Sequence, residues 1–334
     1  MLGLIARRLL QLPLIVGVIY TLTLTLAWAV PGNPVENDEG RRPPAAVIEA
    51  LKRQYNLDSF WRFYFSYLDS ATGLRWARDT VSGRAAQRAA EARAAGEAAP
   101  VRRVFDFGPS LQYDDWSVNQ IIGDALPVSV ALGAMAMLIA VFVGVGAGIV
   151  GAVRPNSAAD FATLTVALVG ISLPSFVVGT TLLLVFSVWI KAFPIGGWGP
   201  GQMVLPAVTL SLPFAAYIAR LTRMGMLEHL GADFIRTARA KGVSESRIVL
   251  KHALKNAFLP VLSYLGPATA MAMTGSFVVE RVFTVPGMGQ HFVNGVLNKD
   301  LFLIMGVVLV YSTMLVLFNL AVDVMYRWID PRIE

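Results

Sequence analysis

The sequence predicts an all-α integral membrane protein with six transmembrane helices, and three observations carry that expectation. Only 15% of its 334 residues are charged and 55% are hydrophobic, against about 25% charged in a soluble domain. Six long runs carry no charge at all: 9–30, 125–153, 161–190, 204–219, 256–279 and 301–322. A bilayer core takes roughly 20 apolar residues in a helix, and a run near 16 serves when its flanks snorkel. The third observation is where the charges fall. With the N-terminus inside, the cytoplasmic segments are 1–8, 154–160, 220–255 and 324–334. Segment 220–255 holds Arg220, Arg223, Arg236, Arg239, Lys241, Arg247, Lys251 and Lys255 against Glu228, Asp233 and Glu245. The only basic residues in the short outer loops are Lys191, Arg281 and Lys299. Basic residues inside fit an orientation with both termini in the cytoplasm. Topology thus explains much of the net charge of +6, and no nucleic-acid partner is expected.

The elements follow in order. Arg7-Arg8, an apolar run and Ala27-Trp-Ala29 have the outline of a signal peptide, but the run of 22 residues exceeds an h-region of roughly 7–15. Residues 1–30 are therefore expected as a retained N-terminal transmembrane helix, ended by Pro31-Gly-Asn-Pro34. Residues 31–124 form an external segment. Within it Pro43-Pro44 opens a helical pattern, with Val47, Ile48, Leu51 and Tyr55 on one side and Glu49, Lys52 and Arg53 on the other. Trp61, Phe63, Tyr64, Phe65 and Tyr67 make an aromatic cluster suited to the bilayer surface. Residues 82–100, rich in Ala, Arg and Glu, suit a solvated helix or linker. Phe105-Asp-Phe-Gly108 returns the chain to the membrane, and Leu126-Pro127 begins the second span.

Residues 125–326 supply five spans, and 327–334 a cytoplasmic C-terminus. Gly144 and Gly148 lie four apart on one helical face, which lets another helix approach closely; Gly266, Ala268, Ala270, Ala272 and Gly275 offer a similar surface in the fifth span. Pro174, Pro206, Pro213, Pro260 and Pro267 each free a backbone carbonyl. Their concentration makes spans three to five the expected pathway helices. The fourth span is the weakest by pattern, because Gly-Gly-Trp-Gly-Pro-Gly (196–201) and Pro206 crowd its start. Glu280, beside Arg281, and Asp323 sit at span edges and suit structural pairing better than an ion path. There are no cysteines, so no disulfide or thiolate site exists. His229, His252 and His291 lack ligand spacing, and no metal is expected.

The segment between the fourth and fifth spans is the most informative. Asp233 suits a helix N-cap and Gly242 the left-handed residue after its end. Phe234, Ile235 and Ala238 share a face, with Arg236, Arg239 and Lys241 elsewhere. Ser244 suits the cap of a second helix, Glu245 to about Leu254, which leads into the membrane at Leu259-Pro260. A basic amphipathic helix, a sharp turn and a second helix in a cytoplasmic loop suit a helix seated in a partner's groove. The residues assigned to this docking role are Asp233, Phe234, Ile235, Arg236, Thr237, Ala238, Arg239, Ala240, Lys241, Gly242, Val243 and Ser244.

Here the sequence resembles the type I ABC importer permeases, and within them the dipeptide/oligopeptide subfamily. Arg236-Thr-Ala-Arg-Ala-Lys-Gly242 and His252-Ala-Leu-Lys-Asn-Ala-Phe-Leu-Pro260 are similar to its coupling motif. The wider family has Glu-Ala-Ala, three residues, Gly, and later Ile-x-Leu-Pro; here Arg236 and Thr237 replace Glu-Ala, while Ala238 and Gly242 are kept. Residues 9–34, Ser172-Leu-Pro-Ser-Phe176, Val278-Val-Glu-Arg-Val-Phe-Thr-Val-Pro-Gly-Met-Gly289 and 319–334 with Asp330-Pro-Arg-Ile resemble other parts of the subfamily. The likeness covers nearly the whole chain except about 70–104, which looks like an insertion.

The resemblance implies a permease fold with a five-helix core, 125–326, preceded by one N-terminal helix, with the coupling loop in 220–255. It implies a bacterial inner-membrane protein that translocates peptides by alternating access. Relatives carrying nickel chelates, sugars or peptide antibiotics keep another cargo open. The implied partners are two ABC ATPase subunits, a second homologous permease, an extracytoplasmic substrate-binding protein and membrane lipid. The sequence has no Gly-x-x-x-x-Gly-Lys-Ser/Thr and no Gly-Lys dipeptide, hence no usual phosphate cradle. The chain is accordingly expected to be no enzyme and to hold no cofactor, with ATP and Mg on the partner ATPases. A self-sufficient secondary transporter would ordinarily show intramembrane ionisable groups or internal repeats. An intramembrane enzyme would need a nucleophile, metal or acid–base pair at matched depths. Neither pattern stands out.

Overall fold

The structure, a computed structural model, describes residues 2–32, 45–85, 87, 91, 103–113, 116–274 and 277–329. Helix α1 (Leu2–Ala29) precedes α2 (Ala45–Gln54), α3 (Phe60–Ala71) and α4 (Leu74–Val81). Then come α5 (Val118–Val153), α6 (Ala158–Ser172), α7 (Ser175–Trp189), α8 (Val204–Leu230), α9 (Asp233–Ala240) and α10 (Glu245–Ala257). The order ends with α11 (Leu259–Thr274), α12 (Phe277–Val282), α13 (Met288–Leu297) and α14 (Leu301–Ile329). The end of α7 (Leu183–Trp189) and the middle of α10 (Ile248–Ala253) are wound as π-helix.

Four helices, α1, α5, α8 and α14, are each long and apolar enough to cross a membrane; two bent pairs raise the number to six. One bent pair corrects the simple third span expected over 161–190. Helices α6 and α7 meet at 108°, because Pro174 clashes with a helical conformation at the residue before it. Leu173 accordingly turns extended, with ψ 132°. Two starts and stops also differ from the charge-free runs. Helix α5 begins at Val118, seven residues before the run at 125. Its start is a capping box: Ser117 Oγ accepts from the Gln120 amide (3.3 Å), and Gln120 Oε1 accepts from the Ser117 amide (3.0 Å). Helix α8 runs past Ala219 through Arg220 and Arg223 to Leu230. The span with the weakest pattern is a long and well-buried helix.

The chain divides into two compact units. The first comprises Met1–Pro13, Ala125–Gln290 and Thr313–Glu334. Its core joins Leu210, Phe214 and Ile218 of α8 to Leu132 and Ala136 of α5 and to Val261 and Ala268 of α11. Glycines make the close approach possible. A Cβ on Gly144 would lie 2.6 Å from the Ala215 carbonyl oxygen, and one on Gly148 would lie 2.5 Å from Thr222 Cβ. Gly266 is pressed in the same way against Val322 of α14 (2.9 Å). Beside Gly151 of α5, Arg223 makes a bidentate ion pair with Asp160 of α6, at 2.6 and 2.7 Å. Glu280 is buried and bonds Ser129 of α5 (2.7 Å) and the Gly289 amide (2.8 Å), partners invisible in a sequence that places it beside Arg281. Asp323 of α14 pairs with Arg8 of α1 at 2.8 Å.

The second unit comprises Leu14–Asp124 and His291–Ser312. The expected surface aromatic cluster is split here. Phe63 and Tyr67 turn inward, buried with Tyr20 and against Phe302, whereas Trp61 and Phe65 stay exposed. Alternate faces of α3 explain the split. Val47 of α2, expected on the apolar face with Ile48 and Leu51, is exposed. The buried Asp300 organises this unit. One carboxylate oxygen accepts from the Leu303 amide (3.1 Å) and caps α14. The other accepts from Ser110 Oγ (2.6 Å) and from the amides of Leu111 (2.9 Å) and Gln112 (3.2 Å). Lys299 donates to the carbonyls of Val30 and Gly32 at the end of α1. Pro43-Pro44, Gly275, Asp330 to Ile333 and nearly all of 86–100 lie outside the described residues.

The glycine contacts give a paired prediction. Gly148→Val forces branched atoms into α8, and overpacking of this kind costs roughly 1–3 kcal/mol. Gly146→Val on the same helix meets nothing within 4 Å and should be tolerated. Thermal unfolding of the purified protein in mild detergent should lower the midpoint for the first variant and leave the second near wild type.

Candidate functional site

The segment between α8 and α11 folds as a helical hairpin in the first unit. Two residues, Gly231 and Ala232, link α8 to α9, and this brevity overturns one expectation. Ala232, with φ −73° and ψ 154°, occupies the N-cap position; Asp233 is the first helical residue and makes no side-chain cap bond. There its carboxylate complements the helix N-terminus and lies 3.4 Å from Arg236. Ser244 does stand at the N-cap of α10, but its hydroxyl caps nothing.

The end of α9 is the turn that Gly242 suggested. Its φ is +73°, the left-handed region that costs a side-chain-bearing residue roughly 1–2 kcal/mol. The Gly242 amide bonds the Arg239 carbonyl (2.9 Å), and the Val243 amide reaches back to the Ala238 carbonyl (3.2 Å). These two bonds define a Schellman motif and satisfy carbonyls otherwise left open at the helix end. Arg239 then bridges the turn, binding Glu245 of α10 through two hydrogen bonds of 2.8 and 3.3 Å. The guanidinium holds the Glu245 carboxyl below its ordinary range.

The apolar residues of α9 part company. Ile235 is fully buried and packs with Met226 of α8, Ile248, Val249, Ala253 and Ala257 of α10, and Ala152 of α5. Ala238 and Val243 pack against the same cluster. Phe234, expected on the same face, is 44% exposed, with its ring edge-on to His229 at 6.4 Å. At 100° per residue position 234 lies beyond 238 from 235, and the helices that close over 235 leave it open. Helical spacing of apolar residues therefore reflects anchorage to this chain's own helices. The surface left for another molecule is Asp233, Phe234, Arg236, Thr237, Ala240 and Lys241, all exposed. Thr237 Oγ1 is turned back onto the Asp233 carbonyl (3.0 Å).

The hairpin is held to the membrane helices at a close crossing. A Cβ on Gly225 of α8 would lie 2.9 Å from the Ala257 carbonyl oxygen of α10. A few residues farther along α8 from α9, Arg223 holds Asp160, whose side chain is only 2% exposed. Sequence reasoning missed this ion pair, because sixty-three residues separate its partners and each looks like an ordinary span-flanking charge. It missed the π-wound turn of α10 as well. Among the described residues no cluster of His, Asp and Glu could hold a metal ion.

Comparison with known proteins gives the geometry a family. A family model described as "Binding-protein-dependent transport system inner membrane component" matches residues 144–334. Over 338 aligned residues the chain is 39% identical to the oligopeptide transport system permease protein OppB of Haemophilus influenzae and 40% identical to OppB of Escherichia coli K12, in each case across 100% of both chains. It is 39% identical over 319 residues to the dipeptide transport system permease protein DppB of Bacillus subtilis, covering 95% of this chain and 93% of that one. The structure titled "Inward facing conformations of the MetNI methionine ABC transporter" aligns with a TM-score of 0.49 at 20% identity, over 63% of this chain and 97% of that chain. The chain belongs to the binding-protein-dependent transport system inner membrane components, the permeases of ABC importers, and is a multi-pass protein of the bacterial inner membrane.

Proposed function

We propose that this chain is the permease subunit of an ATP-driven importer of short peptides, and that α9 and its turn are where the ATPase couples to it. One observation carries the coupling assignment. An exposed, mixed polar and aromatic helix face stands on a hairpin whose other face is locked, through Ile235, to α5, α8 and α10. A partner that moves α9 must move the helices on which it is seated. The peptide cargo rests on the oligopeptide and dipeptide permeases that match at 39–40% identity over nearly the full length.

In this reading α9 faces the cytoplasm, both termini are inside, and Phe234 enters an apolar pocket of the ATPase while Asp233, Arg236 and Lys241 make polar contacts around it. Two ATPase subunits bind ATP and Mg; a second permease completes the pathway and an outer binding protein delivers the peptide. Closure of the ATPases carries the hairpin inward, and α8 and α11 follow. ATP acts through its differential affinity for the two arrangements.

Three outcomes test the reading. Proteoliposomes holding the chain, its second permease and its ATPases should take up a tritiated mixture of two- to five-residue peptides when ATP is inside and binding protein outside. Absence of uptake would remove the cargo assignment. Phe234→Ala and Ile235→Ala should separate docking from anchorage. The first should leave the unfolding midpoint unchanged and weaken ATPase retention on affinity purification by tenfold or more, as loss of an aromatic interface anchor does. The second opens a cavity and should cost about 2–5 kcal/mol in stability; equal behaviour of the two would reject the assignment of faces. Gly242→Asp places a side chain in a left-handed backbone position. It should abolish peptide-stimulated ATP hydrolysis and uptake while the complex still assembles, and wild-type transport by this variant would refute the coupling loop.

A further inference from the structure

Helix α8 is enclosed on all sides but one. Over its most apolar stretch 61% of positions are buried, against 39% for α5 and 11% for α1. Its exposed residues are Tyr217, Arg220, Met224 and Glu228, spaced by three and four and so aligned as one stripe. On α11 the exposed positions include Ser263 and Met271, with Tyr264 at the flank. The two stripes meet where the rings of Tyr217 and Tyr264 approach to 4.4 Å between centroids, at an interplanar angle of 38°.

The character of this surface is not that of a lipid-facing one. On α1 the exposed large hydrophobic residues are Leu9, Leu10, Leu14, Val18, Leu22 and Leu26, all aliphatic, with the exposed Arg7 at its start. The α8 stripe carries no aliphatic side chain but a phenol, a guanidinium, a thioether and a carboxylate. Tyr217 sits at the midpoint of α8, with about 20 Å of helix on either side at 1.5 Å per residue. Neither tyrosine hydroxyl makes a hydrogen bond among the described residues. In hydrocarbon a hydroxyl without a partner is costly, so a phenol on the open face of a membrane-crossing helix calls for a polar occupant or water.

Resting on the peptide-import reading, we propose that Tyr217 and Tyr264 form the cargo-contact site of the translocation pathway, taking the peptide by its backbone. Two phenols supply donors and acceptors for amide groups, and their faces accept any side chain. Met224 and Met271, unbranched and polarizable, adapt to varied shapes. Such a site recognises a peptide without selecting its sequence. The placement also links it to coupling. Helix α8 enters α9 through two residues and α10 leads into α11, so a displacement of the hairpin reaches both tyrosines and changes the opening between them.

The test uses the complete complex with p-benzoylphenylalanine in place of Tyr217, an aromatic substitution that leaves the ring of Tyr264 its neighbour. The complex is supplied with binding protein and the tritiated peptide mixture and irradiated during turnover. The site predicts tritium bound covalently to this chain, suppressed by excess unlabelled peptide, while the same residue at Leu22 gives none. A product joining this chain to lipid or to the second permease, without bound tritium, would overturn the site although uptake persists. Uptake lost in the unmodified complex would instead overturn the import reading. A second measurement guards against a poorly folded variant. Tyr217→Ala in purified complexes of unchanged unfolding midpoint should raise the KM for peptide by roughly 3–10-fold, the scale of one aromatic contact. An unchanged KM would also overturn the site.

Discussion

The first unit depends on how closely other helices approach α8. Burying apolar surface gains little in lipid, because the tails are as apolar as leucine, and association rests on contact distance and polar pairing. Three glycines answer the first need. Gly144 and Gly148 admit the backbone of α8 to α5, and Gly225 admits α10 to α8. The second need is met by Arg223 and Asp160, whose bidentate geometry lets a buried carboxylate keep its charge. With these contacts in place α8 has one open stripe, and the proposed cargo contacts occupy it.

The same economy shapes the hairpin of α9 and α10. A helix of eight residues is too short to be stable alone. It is held by Ile235 in a cluster shared with three longer helices, by the Schellman turn at Gly242 and by the Arg239–Glu245 bridge. A helix held this way behaves as part of the bundle. A push on Phe234 and its neighbours is therefore passed to α8 and α10 instead of being absorbed by a flexible loop.

The second unit meets a different constraint. With no cysteine in the chain, its loops are fixed by hydrogen bonds around buried groups. Asp300 gathers four donors from two distant segments, and Phe63, Tyr67 and Phe302 close the apolar space beside it. Burial strengthens each of those bonds and makes an incomplete set costly, so the carboxylate specifies one arrangement of the 110–112 loop and the start of α14.

Much of this was legible in the residues alone. Charge-free runs located the membrane helices because hydrocarbon tolerates little else, the glycine spacing marked a close helix contact, and Gly242 marked the left-handed turn. Each is a local property, set by a single helix or turn. Tertiary structure decided the rest. A run of 30 residues did not reveal that Pro174 bends it by 108°. Phe234 and Ile235 are both apolar, and only the placement of α5, α8 and α10 buries one and leaves the other open. Asp160 with Arg223, and Glu280 with Ser129, lie 63 and 151 residues apart. The meaning of such a charge depends on which helix it meets, and that is fixed by packing in three dimensions, where sequence periodicity carries no record of the partner.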